Sequence, residues 1–155
     1  DPELTAETLV DGWLRTGDLG LTDASGHLKL VGRAKNMVVT AGGKNIYPED
    51  VEFAFEQVES CEELCVFAVS FVWSGASLAD DRLLLVARPR AGWDPERLRE
   101  ELRTRNRQLA EYKRAAALLR WDEPFPRTAT QKVKRLQLAR EIASRHAGKD
   151  ALQDL

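Results

Sequence analysis

The sequence predicts an α+β fold in which helices flank a small mixed or antiparallel sheet and a separate two-stranded hairpin. Two observations predict it: short β-rich segments alternate with amphipathic helical segments, and clear turn signals separate them. The predicted order after residue 32 is hairpin, helix, strand, strand, helix, strand, helix. A chain of 155 residues is long enough to bury one core around such a sheet.

The composition is that of a globular protein without a strong overall charge. Hydrophobic residues make up 43% of the chain, charged residues 31%, and the formal net charge is −2. No global field therefore favours a nucleic acid or an anionic membrane as partner. No apolar run approaches membrane-spanning length and no signal-peptide pattern is visible, so we expect a cytoplasmic protein without a transmembrane segment.

The cysteines do not predict a disulfide framework or a metal site. Cys61 and Cys65 are too few for a framework. Their C-x3-C spacing, with only His27 and His146 elsewhere, is a poor zinc signal. Cys65 lies in an apolar run, which favours a buried free thiol in a reducing compartment.

The first 32 residues predict a small β structure. A polar turn or helix at 1–8 is followed by strands at 13–16 and 19–22, a turn at 23–26, and an alternating strand at 27–31. This is too little structure to hold a core alone. We therefore expect these segments to pack on another part of the protein.

A hairpin and a helix are predicted next. Residues 37–39 are expected to face Ile46 across a turn at Gly42 and Gly43, because glycine tolerates positive φ. Pro48 suits the first position of a helix predicted over 48–59. The apolar side chains that recur on one face of that helix are Val51, Phe55 and Val58.

The remaining segments predict three strands and two helices. The predicted strands are 64–71, 83–87 and 116–121, with a polar loop over 73–81. One helix begins after Asp94 as N-cap and Pro95 as first residue, with Leu98, Leu102 and Leu109 facing inward. The other covers 134–147 and places Leu138, Ile142 and Ala143 on its apolar face.

Two short motifs in the N-terminal part contain candidate binding residues. Asp18 ends the run Arg-Thr-Gly-Asp, where a carboxylate at a tight turn can accept two hydroxyl hydrogen bonds, as from a ribose. Arg33 follows Gly32 and offers a fork of donors, while Lys35 could serve as a pivot. Taken singly, these two motifs are better explained as an ordinary turn and a plain connector.

Two further motifs place lysines in loops. Lys44 follows the glycine turn of the hairpin and could approach an anionic ligand. Lys132 lies in a cationic loop over 126–135 that has no acidic residue, and could reach a carboxylate or a phosphate. The alternatives are a solvated hairpin and a solvated basic loop.

In this order and spacing, the four motifs resemble the C-terminal part of the adenylate-forming enzymes. This superfamily comprises acyl-CoA synthetases, luciferases and peptide-synthetase adenylation domains. The stretches that carry the resemblance are 13–18, 32–35, 38–52 and 126–135. The sequence Gly-Gly-Lys-Asn-Ile at 42–46 is similar to the corresponding sequence of the long-chain acyl-CoA synthetases.

The resemblance implies roles in nucleotide binding and adenylation. Asp18 would bind the ribose hydroxyls of ATP and of the acyl adenylate, with Arg33 at the same sugar. Lys44 would lie near the phosphate, in a position where many members carry Arg. Lys132 would bridge the carboxylate and the α-phosphate, although Gln131 precedes it where the family usually has glycine.

The resemblance also implies a domain movement between two half-reactions. Residues 1–32 would end a large N-terminal AMP-binding domain, and 33–155 would form a mobile C-terminal domain that turns about Lys35. Gly42 and Gly43 would then face the pantetheine arm of CoA. The chain begins without Met and has no phosphate loop, so we expect a fragment that is inactive alone and binds neither ATP nor CoA tightly.

The implied reaction of the parent enzyme has two steps. A carboxylic acid, expected to be a fatty acid, reacts with ATP and Mg²⁺ to give acyl-AMP and pyrophosphate, and CoA then takes the acyl group. One alternative is an acyl-AMP ligase that loads a carrier protein. Another is a non-catalytic docking module of the same fold, and a nucleic-acid binder is disfavoured by the near-neutral charge.

Overall fold

A helix and two small antiparallel ribbons form the N-terminal part of the structure. The computed structural model describes residues 1–40, 42–73, 82–146 and 152–155. Asp1 caps the first helix by accepting a hydrogen bond from the Leu4 amide at 3.1 Å. The elements are α1 (Pro2–Thr8), the pair β1 (Leu9–Val10) and β2 (Trp13–Leu14), and the pair β3 (Asp18–Thr22) and β4 (Leu28–Arg33).

These ribbons contribute nothing to the buried core. Among the described residues, the buried hydrophobic side chains begin at Val38. The prediction that this part has no core of its own is therefore confirmed. Seven of its large apolar side chains are exposed instead, and they are Leu4, Leu9, Trp13, Leu14, Leu21, Leu28 and Leu30.

A 3₁₀ turn (Ala34–Asn36) joins the ribbons to the predicted hairpin. The hairpin pairs β5 (Val38–Val39) with β6 (Asn45–Ile46), and Val38 lies opposite Ile46 as predicted. Gly43 has a φ of 72°, whereas Gly42 is not among the described residues with positive φ. Only one of the two glycines therefore uses the conformational freedom expected of both.

The helix predicted over 48–59 is shorter than expected. Helix α2 covers Pro48–Phe53 only. Beyond it the chain continues in tighter turns, in which the Phe55 amide bonds the Glu52 carbonyl and the Val58 amide bonds the Phe55 carbonyl. Such turns keep nearly the helical spacing, so Phe55 and Val58 are still buried.

A four-stranded mixed sheet forms the centre of the fold. Its strands are β7 (Cys61–Ala68), β8 (Leu83–Pro89), β9 (Ala115–Arg120) and β10 (Gln153–Asp154). Their spatial order is β10-β9-β8-β7, with β8 and β9 parallel and the outer pairs antiparallel. The predicted α+β fold with a small mixed sheet is thus confirmed. The helical elements of this part of the chain are α3 (Val69–Val72), α4 (Pro95–Gln108), a 3₁₀ turn (Glu111–Lys113) and α5 (Arg135–Arg145).

Helices cover both faces of this sheet. Side chains alternate along β7, so that Val66 points to one face while Cys65 and Phe67 point to the other. Helices α2 and α4 cover the first face and bury Val51 and Leu102 there. Helices α3 and α5 cover the second face, which explains why both sides of β8 are apolar.

Several strand and helix boundaries differ from the prediction, most of them by one or two residues. The strand predicted over 64–71 begins earlier, at Cys61, and ends at Ala68, so Phe71 belongs to α3. The last helix ends at Arg145, and the short edge strand β10 was not predicted. A continuous apolar run does not distinguish a strand from a buried helical turn, because both are apolar all round. Of the predicted loop 73–81, only Trp73 lies within the described residues.

Both cysteines are free and buried, as expected for Cys65. Desolvation raises the pKa of Cys61 to about 11 and also raises the pKa of Cys65. Neither thiol is therefore a reactive nucleophile at neutral pH.

Candidate functional site

Asp18 and Arg33 form an ion pair at the start of β3 and the end of β4. The two residues are register partners, and Arg33 Nε lies 3.0 Å from Asp18 Oδ1. The Asp18 amide donates to Thr16 Oγ1 at 3.1 Å, which fixes the turn before the strand. The Ala34 amide donates to the Gly17 carbonyl at 2.9 Å and ties the far end of β4 to the same turn. The site combines one carboxylate and one guanidinium, both partly exposed.

This ion pair borders a groove of about 880 Å³. The volume is within the usual range for a small-molecule site. The opposite wall is formed by α2 and the turn Glu111–Lys113, which are joined by an ion pair between Lys113 and Asp50. Aromatic side chains of Tyr47, Phe53 and Tyr112 also border the groove.

Gly32 brings β4 close to the residue that precedes α2. A Cβ atom at Gly32 would lie 3.0 Å from the side chain of Tyr47, so a larger residue would push the two segments apart. The next residues turn sharply, which leaves Lys35 exposed in the 3₁₀ turn. Asn36 Nδ2 donates to Glu49 Oε1 at 2.5 Å and attaches this turn to α2.

The hairpin presents its glycines and its lysine to solvent. Gly42, Gly43 and Lys44 are exposed. The Gly43 amide donates to the Thr40 carbonyl at 2.9 Å, and the Lys44 amide donates to Thr40 Oγ1 at 3.1 Å. Thr40 therefore organises the turn that presents these residues.

Lys132 lies in a compact loop on a different part of the surface. The Lys132 amide donates to Thr128 Oγ1 at 3.1 Å, and the Thr128 amide donates to the Lys132 carbonyl at 2.9 Å. Gln131 has a φ of 63°, which is the left-handed conformation that glycine adopts most easily. The Lys132 side chain is exposed and forms no ion pair with any residue in the described part of the chain.

The structure thus brings together only some of the predicted site residues. Asp18 and Arg33 are in direct contact, and Lys35 follows Arg33 closely. Lys35 lines a second, mainly apolar groove of about 510 Å³, between the hairpin and the sheet. Lys132 lines neither groove.

Two ion-pair clusters near the Lys132 loop were missed by sequence reasoning. In the first, Glu63 forms ion pairs with Arg127 and Arg88. In the second, Glu52 pairs with Arg135, whose Nη2 lies 2.5 Å from Glu52 Oε1. Burial raises the pKa of Glu52 against the opposing charge of Arg135. One signal was available: the loop 126–135 contains arginines but no acid, so their counter-ions had to come from elsewhere in the chain.

The described residues include neither a metal-binding cluster nor a helix suited to crossing a bilayer. No three of their His, Cys, Asp and Glu side chains lie close enough together to hold an ion. None of their helices has the length and apolar character that spanning a membrane requires.

Comparisons with known proteins agree on one superfamily, although no family model matches the chain. The chain is 36% identical to a long-chain-fatty-acid–CoA ligase of Bacillus subtilis over 145 residues, which are 94% of this chain and 24% of the relative. It is 37% identical to a 2-succinylbenzoate–CoA ligase of Geobacillus kaustophilus over 142 residues, covering 91% of this chain and 27% of that relative.

A solved structure shows the same fold. The O-succinylbenzoate coenzyme A synthetase of Bacillus subtilis, in complex with ATP and a magnesium ion, matches with a TM-score of 0.68 and 28% identity. The match covers 89% of this chain and 26% of that chain. The chain spans about a quarter of the length of the curated relatives it matches. It belongs, by sequence and by fold, to the superfamily of adenylate-forming (AMP-binding) enzymes, among relatives that are acyl- and aryl-CoA ligases.

Proposed function

We propose that this chain is the C-terminal part of an ATP-dependent acyl-CoA synthetase. The enzyme would convert a carboxylic acid and ATP to acyl-AMP and pyrophosphate, and would then transfer the acyl group to CoA. One observation carries this proposal: about nine-tenths of the chain aligns with named CoA ligases, at 94% and 91% of its length. A fatty acid is the proposed substrate because one relative is a long-chain-fatty-acid–CoA ligase.

The proposed domain boundary lies between Gly32 and Arg33. The ribbons of 1–32 would belong to a preceding AMP-binding domain, and 33–155 would move as one unit about Lys35. The seven large exposed apolar side chains between Leu4 and Leu30 support this division. A surface of that kind on a small ribbon is typical of an interface with another part of the protein.

Lys132 is the proposed adenylation residue. Carboxylate attack on the α-phosphorus brings two anions together, and negative charge develops on the phosphate oxygens. An ammonium group that is already in position stabilises this charge. The side chain suits this role because it is exposed on an ordered loop and has no ion-pair partner in the described residues.

Asp18 and Arg33 are the proposed ribose-binding pair. The pair would present a carboxylate to the ribose hydroxyls and a guanidinium beside it. Lys44 would offset phosphate charge from the hairpin, and Gly42 and Gly43 would leave room for the pantetheine arm.

The proposal is tested by pyrophosphate release from the full-length protein. The assay uses a panel of fatty and aryl acids with ATP, and compares the wild type with the Lys132→Ala variant. We expect release with one acid class and a loss of about 100-fold in the variant, as for removal of one electrostatic stabiliser. Lys134→Ala is the matched control, because it removes an exposed lysine from the end of the same loop.

Two further measurements decide between the alternatives. Transfer from supplied acyl-AMP to CoA should persist in Lys132→Ala, because the lysine acts only in the first step. Offering carrier proteins beside CoA identifies the acyl acceptor. Failure of the intact protein to release pyrophosphate with any acid would favour a docking module.

A further inference from the structure

One arginine connects the central sheet to the backbone of the Lys132 loop. Arg127 Nε and Nη2 lie 3.0 and 2.6 Å from Glu63 Oε1, so two nitrogens of the guanidinium donate to a carboxylate on β7. Its third nitrogen, Nη1, donates to the Gln131 carbonyl at 2.7 Å. The carbonyl that accepts this bond belongs to the residue immediately before Lys132.

Glu63 is itself held firmly in place. Its side chain is only 8% exposed, and Oε2 accepts hydrogen bonds from Arg88 Nη1 at 3.1 Å and from the Phe125 amide at 3.0 Å. Although burial alone would raise the pKa of Glu63, the bonds from Arg127, Phe125 and Arg88 lower it. The carboxylate is therefore charged at neutral pH and fixed on both oxygens.

The loop needs such an anchor because of the backbone at Gln131. A residue with a side chain is strained at the φ of 63° found there, and it keeps this conformation only when its surroundings hold it. The bond from Arg127 fixes the orientation of the peptide group that joins Gln131 to Lys132. Without it, the chain at Gln131 is free to relax to a right-handed conformation, which would redirect the Lys132 side chain.

We propose that Arg127 and Glu63 are positioning residues for adenylation: Glu63 fixes Arg127, and Arg127 holds the Gln131–Lys132 peptide so that the lysine points at the reacting groups. This inference rests on the proposed function, because it takes Lys132 as the adenylation residue. The pair does not touch the substrate and acts only through the loop. Its removal should therefore slow the adenylation step and leave the second step intact.

The first test is a double-mutant cycle in the full-length protein. Arg127→Ala should slow adenylation by about tenfold or more, with no change in acyl transfer from supplied acyl-AMP. In the Lys132→Ala background, Arg127→Ala should have no further effect on adenylation beyond about twofold, because residues that act as a unit are not additive. Losses that multiply, or an equal slowing of both half-reactions, would overturn the inference.

A conservative variant separates positioning from simple stabilisation. Arg127→Lys can keep a charge beside Glu63, but it lacks the planar fork that reaches Glu63 and Gln131 together. We expect adenylation to fall in this variant as in Arg127→Ala, while acyl transfer from supplied acyl-AMP stays at the wild-type rate. Full adenylation in Arg127→Lys would show that charge alone suffices, and the positioning role would be rejected. Arg120→Ala, which breaks the exposed pair with Asp122, is the control and should leave both steps unchanged.

Amide hydrogen exchange provides a readout that does not depend on activity. In Arg127→Ala, the amides of Thr128, Gln131 and Lys132 should exchange at least about tenfold faster, while protection of Leu85 in the central sheet stays unchanged. Unchanged exchange in the loop would overturn the inference. Normal adenylation by Lys132→Ala would instead defeat the proposed role of the lysine and leave the exchange result standing.

Discussion

Asp18 Oδ1 and Arg33 Nε lie 3.0 Å apart, and the two residues face each other across neighbouring strands. The ion pair joins Asp18, the last residue of the motif at 13–18, to Arg33, the second residue of the motif at 32–35. A free carboxylate beside a polyphosphate would repel it, whereas a carboxylate paired with a guanidinium carries little net charge. The pair can therefore bind hydroxyl groups next to an anionic ligand.

The proposed role of this pair in ribose binding predicts a change in ATP affinity. In the full-length protein, Asp18→Asn should raise the Kd for ATP by about 10- to 100-fold, because charge-assisted hydrogen bonds to hydroxyls are lost. Calorimetry with the wild type and the variant measures this directly. Asp122→Asn, an exposed aspartate in a separate ion pair, is the matched control. Equal affinity in Asp18→Asn and the wild type would exclude Asp18 from the nucleotide site.

The left-handed backbone conformation at Gln131 predicts that substitution by glycine stabilises the fold at this position. Gln131→Gly should raise the free energy of unfolding by about 1 kcal/mol, because glycine adopts this conformation without strain. Gln137→Gly, at an exposed helical position in α5, should instead lower it by about 1 kcal/mol. Denaturant unfolding of the two variants measures both signs. If Gln131→Gly lowers the free energy of unfolding, the Gln131 side chain stabilises the fold by more than the strained backbone at this residue destabilises it.

The bonds to Glu63 predict how stability changes with pH. They hold the pKa of Glu63 below its usual value, so this carboxylate stabilises the fold above about pH 4.3, the pKa of an unperturbed Glu. That contribution is lost as the pH falls through the lower folded-state pKa. Glu63→Gln should therefore cost about 1–3 kcal/mol at pH 7 and much less at pH 3.

The measurement is denaturant unfolding of wild type and Glu63→Gln across this pH range. Glu62→Gln serves as the control. Glu62 is more exposed than Glu63, so this substitution should change stability by less than about 0.5 kcal/mol at any pH. A difference between wild type and Glu63→Gln that is constant from pH 7 to pH 3 would contradict the assignment.

The exposure of the apolar side chains in the N-terminal ribbons predicts that replacing a leucine there destabilises the chain much less than replacing a leucine in the central sheet. In this chain alone, Leu28→Ala should change stability by less than about 0.5 kcal/mol, because Leu28 is 68% exposed. Leu84→Ala in the centre of the sheet should cost about 2–5 kcal/mol, because Leu84 is fully buried. In the full-length protein, Leu28→Ala should become costly if the ribbons pack on a preceding domain. An equally small effect in both contexts would argue against that interface.

Most of the fold was predictable because the signals are local. The glycine turn and the alternation around Val38 and Ile46 specify the hairpin, and Asp94 with Pro95 specifies the start of α4. The end of α2 was not predictable from the same rules. Its tighter turns bury Phe55 at nearly the helical spacing, so periodicity alone could not reveal the change.

The sequence by itself determined the superfamily, the order of the motifs and the residue types that the proposed chemistry needs. Only the tertiary structure decided how the Lys132 loop is attached to the rest of the fold, because the partners of its arginines lie far away in the chain. Arg127 reaches Glu63 on β7, and Arg135 reaches Glu52 on α2, through ion pairs formed only when the sheet and helices assemble. No local pattern encodes such pairs, since which acid meets which arginine depends on packing rather than on spacing along the sequence.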